Sequence, residues 1–165
     1  MPRITSKCLY PLKVLCQRFQ ISKWSYLACA IDTEGCVCIF KAKCKKAKEG
    51  VRFSTLLTIS NTNLEWLEFL KLQYKLKCSI CAQKSRRRNR KVCYRLSLSS
   101  NEIRRIIPRI KPYVKIKKQQ LVLVVKLLSL LHERARTQNG HASREYTKEF
   151  THLWLECKKL NEKGV

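Results

Sequence analysis

Residues 27 to 35 read Leu27-Ala28-Cys29-Ala30-Ile31-Asp32-Thr33-Glu34-Gly35. Trp24, Leu27, Ala28 and Ile31 recur at helical spacing on one face, and Gly35 supplies a stop, so a short helix ends here. From Cys36 the period changes to two, with Val37 and Ile39 alternating with Cys38 and Phe40. A helix therefore runs directly into a strand, and its last turn carries two acids. Asp32 is the only aspartate of the chain, and Glu34 is the only other acid before residue 49.

Downstream, the first strand runs into Lys41, Lys43, Lys45, Lys46 and Lys48 before Gly50, and Phe53, Thr55, Leu57 and Ile59 resume the alternation. That pattern is a hairpin with a basic tip. Leu64, Leu67, Leu70 and Leu72, with Trp66 and Phe69, mark a helix opening after Asn61 or Thr62. A second hairpin follows, Ile80 to Lys84 and Val92 to Ser99, flanking Ser85-Arg86-Arg87-Arg88-Asn89-Arg90-Lys91. Ser100 or Asn101 then caps a helix to Ile107, before Pro108. Lys115 to Glu133 reads as the longest helix, on Leu121, Val124, Val125, Leu128 and Leu131. After a loop from Thr137 to Ser143, Glu145 to Leu160 reads as an amphipathic helix on Tyr146, Phe150, Leu153, Trp154 and Leu160. The order predicts an α+β fold, α-β-β-α-β-β-α with C-terminal helices, whose antiparallel sheet keeps one face open. Residues 1–165 are expected to form one domain, with 1–20 an N-terminal extension, 21–133 the core and 134–165 a C-terminal helical extension.

Thirty-six Lys and Arg against 11 Asp and Glu give a formal net charge of +25. So much self-repulsion calls for a polyanion, and nucleic acid is the leading one because every neutralised phosphate releases counterions. The longest apolar run, Leu121 to Leu131, is broken by Lys126 and Ser129 and is too short to span a bilayer. The first 13 residues lack the apolar core of a signal peptide. The reading is an intracellular protein, cytoplasmic and nucleoid-associated or organellar, with neither a membrane nor a small-molecule substrate as its partner.

Ten cysteines are present. Cys36, Cys38, Cys93 and Cys157 stand in apolar stretches and read as packed thiols. Cys78 and Cys81 form a CxxC without a second ligand pair, so packed thiols are favoured over a zinc cluster, and a disulfide stays open.

The scarcity of acids bears on chemistry. Hydrolysing a phosphodiester with a hard divalent ion needs carboxylate oxygens to hold the ion beside the phosphate. One chain offers too few. Two copies of the first helix packed about a two-fold axis would bring two Glu34 carboxylates together, and Ala28, Cys29 and Thr33 are small enough for close approach.

The nine residues 27–35 resemble the LAGLIDADG motif, matching at Leu, Ala, Ile, Asp and the closing Gly, with Glu at the second acidic position. Ile59-Ser60-Asn61-Thr62-Asn63 resembles the end of the second strand in this homing-endonuclease family. Lys111-Pro112-Tyr113-Val114-Lys115-Ile116-Lys117-Lys118-Gln119-Gln120 resembles its Pro-aromatic-aliphatic-Lys-aliphatic-Lys segment. The resemblance covers roughly residues 20 to 130 and is to the single-motif, homodimeric members, which cut long pseudo-palindromic DNA sites and are typically intron-encoded.

By that resemblance Glu34 binds Mg²⁺ or Mn²⁺ with help from the Gly35 carbonyl, Asn61 orders water, and Lys117 stabilises charge on the phosphate. Ala28, Cys29, Asp32 and Thr33 are expected at the dimer interface, Asp32 capping or bracing the helix pair. Alternation puts Arg52, Ser54, Leu56 and Thr58, then Ile80, Ala82 and Lys84, then Cys93, Arg95 and Ser97 against double-stranded DNA. In the first strand either Cys38 and Phe40 or, through a bulge, Lys41 and Lys43 face it. Lys45, Lys46, Lys48, Arg86, Arg87, Arg88, Arg90 and Lys91 are expected to hold phosphates, with Lys115 and Lys118 nearby. Rival readings are an intron RNA-binding maturase and a DNA-binding regulator that does not cut.

Overall fold

The structure is a computed structural model, and it describes residues 22–45, 50–83, 91–137 and 144–162. Its elements are α1 (Lys23–Glu34), β1 (Gly35–Lys43), β2 (Val51–Asn61), α2 (Leu64–Gln73), β3 (Cys78–Gln83), β4 (Cys93–Leu98), α3 (Ser100–Ile110), α4 (Lys118–Thr137) and α5 (Arg144–Glu162). The strands form one antiparallel sheet in the order β1-β2-β4-β3. This is the expected α+β architecture. Lys46, Lys48, Lys84, Arg86, Arg87, Arg88 and Arg90, the 1–20 extension and the Tyr146 side chain lie outside what is described.

Period-two burial divides the sheet. Val37, Ile39, Phe53, Thr55, Leu57, Ile59, Leu96 and Leu98 are buried on one face. Leu27 and Ile31 of α1, Leu67 and Leu70 of α2, and Ile103, Ile106 and Ile110 of α3 share that core with them. Leu121, Val124 and Leu128 of α4 join it, as do Phe150, Leu153 and Cys157 of α5. The other face has no helix packed on it among the described residues.

The element boundaries follow their caps. Ser22 caps α1, accepting from Trp24 N at 3.3 Å. Asn63 caps α2, accepting from Trp66 N, while Asn61 Oδ1 accepts from Asn63 N at 2.9 Å. The cap is thus two residues past Asn61, and Leu72, one of the leucines that marked the helix, is 77% exposed because Leu67 and Leu70 fill the inward face. Ser99 caps α3. Pro108 does not end that helix as expected. It removes only one donor near the C-terminus, and burial of Ile107 and Ile110 carries the helix on to residue 110. α4 begins at Lys118, three residues later than its apolar pattern suggests, for a reason found at the end of α1.

Among the described residues no helix is long and apolar enough to cross a membrane, and none of the described cysteines is in a disulfide. Cys157 is buried, while Cys29, Cys36 and Cys81 are exposed, so the packed-thiol expectation fails at Cys36. Alternation sends Cys78 and Cys81 to opposite faces of β3, so the CxxC cannot chelate. No group of three or more potential metal-ligating side chains occurs among the described residues.

Candidate nucleic-acid interface and active site

The site starts where α1 meets β1. Gly35 is required there by proximity rather than by its dihedrals, which are ordinary extended values. A Cβ at this position would stand 2.8 Å from Ile31 Cα and closer still to the Ile31 carbonyl oxygen. Only glycine lets the strand leave the helix this tightly, which fixes Glu34 at the rim of the sheet.

Asp32 and Glu34 differ sharply in their surroundings. Both lie in the last turn of α1, where the helix dipole disfavours negative charge, and the turn contains no basic residue. Asp32 is compensated: its Oδ2 accepts from Lys115 N at 2.7 Å and its Oδ1 from Lys117 N at 2.9 Å. These bonds hold the approach to α4 against the end of α1. The Lys117 carbonyl then accepts from Leu121 N, which opens α4. Glu34 is exposed and has no hydrogen bond or ion pair among the described residues.

The same bonds bring Lys117 to the sheet. Lys117 and Arg95 both act electrostatically on Cys36, the residue after Gly35. A hydrogen bond with Cys38, reinforced by these two cations, holds the Cys36 thiol down at about 6, and the same bond together with burial pushes the Cys38 thiol up. Glu34, Lys117, Arg95 and the start of β1 therefore share one end of the open face.

Asn61 ends β2 opposite Tyr94, on the side of the strand that carries Leu57 and Ile59, and its Oδ1 is engaged by Asn63 N. Its Nδ2 has no partner among the described residues.

Register defines the open face. Thr58 pairs with Cys36 and Ser97, Ser97 with Ser79, and Arg95 with Ser60 and Cys81. Arg52, Ser54, Leu56, Cys93, Arg95 and Ser97 lie on it as expected, whereas Thr58, on the same side of β2, is buried between its neighbours and does not present its side chain to solvent. Two corrections follow. In β3, Ile80 and Ala82 pair with Leu96 and Tyr94 on the helix side, so Ser79, Cys81 and Gln83 take the open face; the half-buried Ile80 packs against the core and sets that phase. In β1 the pairing runs unbroken from Gly35 to Lys43, without a bulge, so Cys36, Cys38, Phe40 and Ala42 face outward. Lys41 and Lys43 lie on the other side. The Lys41 ammonium sits 5.6 Å from the Phe53 ring and 5.1 Å from the Trp154 ring, where cation–π attraction and α5 hold it away from the open face.

Sequence reasoning missed Ser60, Ser79, Cys81 and Gln83. Counting by two from the core residues Ile59 and Leu96 through the ladder would have found them. Lys45, Lys91, Lys115 and Lys118 are exposed. Of the proposed interface residues on α1, Cys29 and Thr33 are exposed, with Thr33 Oγ1 donating to the Cys29 carbonyl at 3.0 Å. Ala28 is fully buried within its own chain, because it falls on the helix face that packs on the core, and so cannot meet a partner.

No curated protein matches the chain. Among solved structures, an archaeal intron-encoded homing endonuclease, I-Vdi141I, complexed with DNA, is 21% identical, with a TM-score of 0.70 over 87% of this chain and 86% of its own. I-CvuI, in complex with a DNA target and Mg, is 18% identical with a TM-score of 0.64, over 84% and 81%. The group I intron-encoded homing endonuclease I-CeuI, complexed with DNA, is 17% identical with a TM-score of 0.58, over 80% and 70%. Their likeness is one of fold. The family model described as LAGLIDADG endonuclease matches residues 27–126, from the first residue of the nine-residue motif to the middle of α4. With more than half the chain matched, the protein belongs to the LAGLIDADG endonuclease family.

Proposed function

We propose that this protein is a homodimeric, divalent-metal-dependent endonuclease that makes a double-strand break in a long, nearly palindromic DNA site. One observation carries the reading: Glu34, an exposed carboxylate with no partner among the described residues, stands at the negative end of a helix beside the open face of a strongly basic protein. A carboxylate so placed gains from a cation, and oxygen donors suit Mg²⁺ or Mn²⁺.

The donor set fits a shared site. Both Asp32 oxygens are occupied by backbone N–H groups, so each chain offers Glu34 and, next to it, the Gly35 carbonyl. Two chains meeting through the Cys29 and Thr33 faces of α1 would pool these donors on the two-fold axis. The bound ions would activate water and offset charge on the phosphate. Lys117 would hold its ammonium against the same phosphate, Asn61 would position water through its Nδ2, and Arg95 would anchor the backbone nearby. The open face would lie in the major groove, where an antiparallel ribbon reaches base edges. Intron-borne coding is proposed by analogy with the two intron-encoded structural relatives.

The test is a library of long duplexes incubated with the protein and Mg²⁺, with recovery of cut ends. Cleavage at one site, stopped by EDTA and by Glu34→Gln while that variant still binds the duplex, is the expected result. Unimpaired cutting by Glu34→Gln would place the chemistry elsewhere, and a monomer by light scattering on target DNA would rule out the shared site.

A further inference from the structure

The middle of the open face is apolar. Cys38 and Leu56 are directly paired across β1 and β2, Phe40 and Ala42 follow Cys38 along the outward side of β1, and Phe40 is 53% exposed. Cross-strand and diagonal neighbours on one sheet face lie within side-chain reach, so the four form one patch. Cations bracket it: Arg52 is paired with Ala42 at one end, and Arg95 and Lys117 stand near Cys36 at the other.

An exposed apolar patch calls for an apolar partner, and cations at both ends call for an anionic one. Of the groups that duplex DNA presents in its major groove, the 5-methyl of thymine is the apolar one, and Phe and Ala side chains are among those that contact it. We infer that Phe40, Leu56 and Cys38 read thymine 5-methyl groups in the target duplex. The inference rests on the DNA-endonuclease reading above and names which base feature that surface selects.

Phe40 lies five residues along β1 from Gly35. At roughly 3.4 Å per residue the patch stands about 17 Å from the start of the strand, which corresponds to about five base pairs of duplex. Thymine is therefore selected about five base pairs from the scissile phosphate in each half-site, and a strand carrying uracil there is discriminated against.

Binding of the full-length protein to a randomised duplex library in Ca²⁺, followed by resynthesis of the enriched site, tests this. Enrichment of thymine at those positions is expected. Replacing it with deoxyuridine, which removes only the methyl, should weaken wild-type binding about fourfold per methyl. Phe40→Ser and Leu56→Ser, confirmed folded by thermal melting, should lose most of that sensitivity. Wild-type binding indifferent to the exchange, undiminished sensitivity in both variants, or an enriched site without thymine there would each overturn the inference while leaving the endonuclease reading intact. Enrichment of no duplex at all would overturn both.

Discussion

The carboxylate of Asp32 accepts the backbone N–H of Lys117 at 2.9 Å, joining residues 85 positions apart in sequence. A second bond, from Lys115 N, makes the attachment bidentate. Asp32 is thus a positioning residue. It holds the segment bearing Lys117 at the end of α1, where Glu34 emerges, so the motif helix sets the location of a side chain from the far end of the family-matched region.

Asp32→Asn should therefore separate chemistry from binding. The amide sets an NH2 donor where one of the two acceptor oxygens stood, so one backbone N–H loses its partner, and loss of a hydrogen bond to a charged acceptor costs about 2 kcal/mol. Urea denaturation should show that loss. Cleavage at saturating DNA should fall at least about tenfold while duplex affinity changes little, as single-turnover kinetics and filter binding would reveal. Equal losses in affinity and rate would assign Asp32 a purely structural role.

Glu34→Gln should stabilise the isolated protein while removing its cleavage. An unpaired carboxylate at a helix C-terminus is unfavourable by about 0.3–1 kcal/mol, and neutralising it relieves that cost. Thermal melting without divalent ions checks the sign. A lower melting temperature would mean that Glu34 has a stabilising partner.

Gly35→Ala should be costly for a steric reason. The added methyl meets the backbone of Ile31, which cannot rotate aside as a side chain would. Overpacking of this kind destabilises by about 1–3 kcal/mol, and moving α1 from β1 also displaces Glu34. Unchanged stability together with unchanged cleavage would show that the junction has slack.

Acid should weaken the fold partly through Glu102. This buried carboxylate accepts from Arg105, at both its Nε and Nη2, and from Lys77 N. The Arg105 hydrogen bonds, aided by the Lys77 N–H, hold its carboxyl below the ordinary value. A group titrating lower when folded contributes its stability fully above the unfolded value and loses it as pH falls through the folded one. Denaturation curves below about pH 4.5 should show a steeper loss in the wild type than in Glu102→Gln, and the variant should be less stable at neutral pH. Parallel curves would place the acid sensitivity elsewhere.

The order of strands and helices was legible because period-two and helical spacings change sharply at Gly35, after Asn61 and near Ser100, within two residues of the caps at Asn63 and Ser99. Glu34 stood out because acids are scarce. Details that depend on partners remote in sequence were harder to read. Alternation alone left the phase of β3 open to a wrong choice, Ile80, Ala82 and Lys84 being expected on the DNA face, whereas Ile80 packs half-buried against the core. Lys41 looked like a groove contact until α5 brought Trp154 beneath it. Ala28 was small enough for a helix interface, yet one residue of helical rotation separates it from exposed Cys29. The Asp32 attachment leaves no mark on composition, since its partners are backbone N–H groups that any residue supplies.

β1 is an edge strand, and α5 lies along it. Asn161 Nδ2 donates to the Val37 carbonyl at 3.1 Å, and Cys157 Sγ reaches the same oxygen at 3.8 Å. Free edges invite another chain to extend the sheet, and this one already has an acceptor committed to its own C-terminal helix. Two copies are thereby steered away from fusing into one continuous ribbon. Shortening the chain before Cys157 would uncover a sticky border, and such a truncated protein should precipitate or form open-ended polymers instead of closed pairs.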